Sequence, residues 1–163
     1  MFFKSGIDYL DYVSERIVQF EEKIVEQIVR LDEEKKNIFL HGMSGNDKVQ
    51  TSISDDNIIN GLERIEELEE KVNDLIEKKY IVKRTALKNI LKLESDENKE
   101  ILIDKYINNM TNNDLAKIEK VDVRTIQRRH KKALSEFCKI YQPFETNTWL
   151  VTPKQFTVIL EIV

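Results

Sequence analysis

Between Arg124 and Lys132 stand Arg124, Arg128, Arg129, Lys131 and Lys132, with no acidic residue among them. Arg124, Arg128 and Lys131 recur at steps of four and three residues, which lines side chains along one face of a helix. Guanidinium forks held in such a line can pair bidentately with guanine, a glutamine with adenine, and a threonine hydroxyl with either. Ammonium groups further along a helix meet phosphate. The chemistry on offer is therefore recognition of duplex DNA, with Arg124, Thr125, Gln127 and Arg128 on base edges and Arg129, Lys131 and Lys132 on phosphates. An ordinary amphipathic helix with a solvated basic face is the alternative, since most charge runs are only that.

The elements that must hold these residues are legible on both sides. Asp122 is a good N-cap, and from there Ile126, His130, Ala133, Leu134 and Phe137 fall on one face, opposite the cations. Upstream, Thr111 or Asn112 can cap a short helix ending near Lys120, with Leu115, Ala116 and Ile118 as its apolar stripe. Two helices and a tight turn, the second outwardly cationic, follow the helix-turn-helix plan. Ala116 would sit at the crossing, Val121 would plug the turn and Ile126 would pack one helix on the other. Lys120 stands where such turns usually carry glycine, and Glu119 where they carry an apolar residue, which predicts a looser turn. After an interruption at ESDENKE, Ile101, Leu102, Ile103, Tyr106 and Ile107 predict a third short helix beneath the pair.

Two long helical patterns precede this module. From Asp8 to about Leu40, Leu10, Ile17, Ile24, Leu31 and Ile38 recur every seven residues with Val13 and Phe20 between them, while Gln27 and Glu34 break the second line. The loop HGMSGNDKVQTSIS follows, and Ser54, Asp55 and Asp56 supply caps for a helix to about Leu93. Ile58, Leu62, Ile65, Leu68, Val72, Leu75, Ile76, Val82, Leu87, Ile90 and Leu91 mark its apolar side. Such helices fold back as a hairpin or pair with a second chain, and the unbroken heptad line favours a homodimer. Beyond residue 142 the character changes: TNTWLVT and QFTVILEIV read as two short strands about a proline turn, too apolar to lie uncovered. The expected architecture is all-α, with a coiled-coil-like hairpin at 1–93, a DNA-binding module at 94–142 and an apolar β-hairpin tail at 143–163.

Residues 80–134, through LIDKYINNMTNNDLAKIEKVDVRTIQRRHKKAL, resemble region 4 of bacterial sigma-70 factors, which reads a promoter element. The longer run from about Ile7 to Leu134, including NDKVQTSISDDNI, resembles small phage and prophage late transcriptional regulators of the autolysin-regulator type. The resemblance implies a DNA-binding regulator acting at promoters with host RNA polymerase. Two other classes share the same parts: a DNA-packaging adaptor like a terminase small subunit, and a coiled-coil interaction protein that never touches DNA.

Net charge is −4 over 163 residues. Residues 110–142 nevertheless hold 8 basic against 4 acidic side chains, while residues 1–109 hold 17 against 24. Phosphate attraction acts over about a Debye length, ~8–10 Å, so an acidic scaffold can carry a basic reading head. No cofactor or metal is expected: His41 and His130 are the sole histidines, Cys138 the sole cysteine, and no glycine-rich phosphate loop occurs. His41 is expected in the loop and His130 at the inner edge of the basic helix, so no enzyme is indicated. No apolar run of ~18 residues that could span a membrane and no signal-peptide pattern is visible, so a cytoplasmic protein is expected.

Overall fold

The computed structural model describes residues 5–43 and 55–141, with side chains over 5–38 and 59–141. These residues form five helices and no strand: α1 (Gly6–Met43), α2 (Asp55–Ile90), α3 (Asp96–Tyr106), α4 (Asn112–Glu119) and α5 (Val123–Ile140). The fold is all-α. The caps expected at Ser54, Asp55 and Asp56, and the tail at 143–163, lie outside what is described.

The helices α1 and α2 pack antiparallel against each other. Glu21 pairs with Lys79 at 3.5 Å and Lys83 at 3.7 Å, and Lys35 with Glu69 at 2.8 Å. Asn89 donates to the Tyr9 hydroxyl at 3.2 Å. The heptad line of α1 is therefore covered within the chain: Leu10, Val13, Ile17, Phe20 and Ile24 are buried and Leu31 and Ile38 half-buried. The heptad line thus needs no second chain to cover it. Gln27 and Glu34 stay half-buried on the second line, as long stems can cover apolar surface beneath a polar head. Gly61 permits the close approach near Ile38, since a Cβ there would stand 2.8 Å from Ile38 Cδ1.

Helix ends differ from expectation. The first helix runs to Met43 and takes His41 out of the loop. The second stops at Ile90, where the Leu93 amide turns back to the Ile90 carbonyl at 3.0 Å and buries Leu93. Leu62, Ile76 and Leu91 are exposed, so the apolar side of α2 is two stripes rather than one. The interruption at ESDENKE is confined to its first two residues: Ser95 caps α3 by accepting from the Asn98 amide, and the acidic residues after it form the first turn. Asn98 is itself buried and donates to the Glu136 carboxylate on α5.

One core joins the hairpin to the three short helices. Leu10, Val13 and Ile17 of α1 and Ala86 and Ile90 of α2 belong to the same buried cluster as Leu102, Leu115, Ile126 and Phe137. The boundary expected after residue 93 is a change of element and not a gap in packing. Tyr9, Phe137 and Tyr141 form a cluster of near-parallel rings, with Tyr9 and Tyr141 centroids 4.7 Å apart. This cluster fixes the end of α5 against the start of α1.

Candidate nucleic-acid interface

The angle between α4 and α5 is set locally. Thr111 caps α4 by accepting from the Asp114 amide, and the Asp114 carboxylate returns a bond to the Thr111 amide. At the other end Lys120 takes the left-handed conformation, φ 55° and ψ 42°. The amides of Lys120 and Val121 both turn back to the Ala116 carbonyl, the latter at 3.0 Å. Asp122 then opens α5 by accepting from the Arg124 amide at 2.7 Å. The turn is tight, and Lys120 takes the conformation glycine would supply; the expected loosening does not occur. Leu115, Ala116 and Ile126 are buried at the crossing and Val121 is half-buried. Ile118, expected on the apolar stripe, is 63% exposed, because an eight-residue helix has room for only one inward line.

Opposite this core, α5 presents Arg124, Gln127, Arg128, Lys131 and Lys132 to solvent, with Thr125 half-buried at their edge. Among the described residues no carboxylate lies within 4 Å of Arg124, Arg128, Lys131 or Lys132. Arg124, Arg128 and Lys131 occupy the middle of the outer face and Lys132 one flank. On the other flank Gln127 lines an open polar cleft of about 550 Å³ with Ser14, Asn109, Thr111, Asn113 and Val123.

Arg129 departs from its expected place. Its Nε lies 2.8 Å from Glu97 of α3 and its Nη1 2.6 Å from Glu119 of α4. A guanidinium held by two carboxylates is neutralised locally, so Arg129 ties α5 to α3 and α4. Neither glutamate was legible as its partner, since both come from other elements. A hint lay in its position between Ile126 and Ala133, which turns its stem toward the core.

His130 adds no charge to the face. Burial, with Lys105 nearby, lowers its pKa and favours the neutral ring, and a ring nitrogen stands 3.2 Å from the Tyr106 hydroxyl. Burial in turn pushes Tyr106 up to about 12, with Asp11 and Cys138 adding to the shift. Both are core groups with a polar bond between them. Among the described residues no group of three or more His, Cys, Asp or Glu is placed to hold a metal, and no helix is long and apolar enough to cross a membrane. No protein family matches this chain, and no curated protein or solved structure matches it.

Proposed function

We propose that the protein is a sequence-specific DNA-binding transcriptional regulator that inserts the start of α5 into the major groove, with α4 and α5 as its helix-turn-helix. The observation that carries this reading is the row Arg124, Arg128 and Lys131 on the outer face of α5, exposed, free of carboxylates and backed by a packed core. Arg124, Thr125, Gln127 and Arg128 lie on the first turns and read bases; Lys131 and Lys132 lie further along and hold phosphates. Arg129 orients the reading helix without touching DNA. The resemblance to sigma region 4 and to phage late regulators supports action at promoters with host RNA polymerase, the acidic α1–α2 hairpin being suited to a protein partner and repelled by DNA. A complete sigma factor is not implied, because no aromatic and basic block for holding melted promoter DNA is visible.

Selection from random duplexes supplies the cognate site, and variants then test the reading. Arg124→Ala or Arg128→Ala is expected to cost about 1–3 kcal/mol on that site and much less on scrambled DNA. Lys131→Ala or Lys132→Ala is expected to weaken both duplexes alike and to lower the logarithmic salt slope by roughly one per lost contact. Equal losses on both duplexes for all four variants would reject α5 as the sequence reader.

A further inference from the structure

The α1–α2 hairpin leaves apolar side chains outside its own seam, and they gather on one side. Glu21 faces Lys83 and Lys35 faces Glu69 along one flank of the hairpin. Midway between these pairs, seven residues from each member, come Ile28 on α1 and Ile76 on α2, both exposed. Next to them are Val25 at 61% exposure and Tyr80 at 62%, each one helical turn away, and the exposed Val29, one turn on from Val25. The hairpin has a core without them. Scattered surface apolar residues need no explanation, but five on adjoining turns of two neighbouring helices form a patch.

Charge around this patch reverses from end to end on both helices. On the outer ridge of α1, Glu22 lies seven residues before Val29 and Lys36 seven after, and both are exposed. On the outer ridge of α2, Glu70 and Arg84 lie seven residues either side of Glu77, near the same level of the hairpin, and both are exposed. The flank repeats the rule, with Glu21 and Lys35 about Ile28 and with Glu69 and Lys83 about Ile76. A two-fold axis lying across the hairpin at that level stacks α1 on the α1 of a second copy and α2 on its α2, each antiparallel. It then brings Glu22 against Lys36 of the second copy and Glu70 against Arg84, while Glu77 meets its own copy at the axis. Such self-complementarity is what an isologous interface requires.

We infer that two copies of this chain pair face to face through the patch of Val25, Ile28, Val29, Ile76 and Tyr80, forming an antiparallel four-helix bundle with a DNA-reading head at each end. A shared face ~40 Å long and two helices, ~20 Å, wide offers on the order of 800 Å² per copy, the size of a standard interface. The inference does not depend on the DNA reading. Joined to it, the heads stand roughly 55–60 Å apart along the bundle, taking ~1.5 Å per residue from Val29 to the level of Leu10 in each copy. That spacing suits half-sites nearer two turns of DNA apart than the one turn expected of a compact dimer.

Sedimentation equilibrium over a concentration series tests this on the full chain. The wild type is expected to be a dimer, and Val25→Glu a monomer with unchanged helical circular dichroism. Glu22→Lys and Lys36→Glu lie on the outer ridge away from α2, so each leaves the monomer intact and places like charges together twice per dimer. Each single variant is expected to weaken dimerisation about tenfold. The double variant, Glu22→Lys with Lys36→Glu, restores the opposite signs and is expected to regain the wild-type constant. A monomeric wild type at ~100 µM, a dimer indifferent to Val25→Glu, or a double variant weaker than either single one would overturn the inference.

Discussion

Lys120 and His130 show how single residues in the head trade stability for position. A non-glycine residue in the left-handed region costs about 1–2 kcal/mol, of which glycine recovers part after its larger loss of freedom on folding. Lys120→Gly is therefore expected to stabilise the chain by about 1 kcal/mol and raise Tm by about 2–4 °C. Calorimetry of the pair measures it, and a lower Tm would mean that the lysine side chain contributes to the turn. For His130 the folded pKa lies below its ordinary value because burial disfavours the imidazolium. Below about pH 6.5 the unfolded chain takes up a proton that the folded ring refuses, so the contribution is complete above that pH and declines as pH falls through the lowered value. His130→Gln keeps an acceptor for Tyr106 and is expected to flatten the acid limb of a stability profile between pH 7 and 5. A profile identical to the wild type would remove His130 from the account.

At the scale of elements, α4 and α5 were legible because each carries its own punctuation. Thr111 and Asp122 are N-caps with side-chain bonds to the amides they should satisfy, and the helices begin one residue after them. Where the sequence misled, the deciding partner lay elsewhere in the chain. Ser95 with its acidic followers looked like a loop, yet it caps α3 because Leu93 and Ile101 on either side have a core to enter. Arg129 looked like one more cation of a basic run, and Glu97 and Glu119, which come from other helices, set it apart. Removing this clamp provides a test of its assignment. Arg129→Gln is expected to cost about 1 kcal/mol of stability, the scale of partly exposed ion pairs in a network, while leaving DNA affinity unchanged at a temperature where both proteins are folded. A reduced salt slope of binding would instead place Arg129 on a phosphate.

Over the whole molecule, the heptads announced two long helices but left open whether they would meet each other or a second chain. Gly61 beneath Ile38 and the pairs of Glu21 and Lys35 with α2 close them on themselves, through contacts between residues some 20 to 60 positions apart that no local pattern encodes. The same distance effect hides the shared core. Because Leu10, Val13, Ile17 and Ile90 are buried with Leu102, Leu115, Ile126 and Phe137, the head lacks one wall when cut from the hairpin. A fragment of residues 94–141 is expected to lose most of its helical circular dichroism and any cooperative melting, since so small a piece buries too little apolar surface. A fragment that melts cooperatively would show that the three short helices suffice.

The continuity of that core gives the molecule a mechanical character. The hairpin is a stiff arm ~50 Å long welded at its base to α5, so a rotation of about 5° at the base displaces its far end by about 4 Å. Motion passes in the other direction as well. A force applied along the arm acts on α5 with long leverage, so the arm and α5 can strain each other without any change of fold.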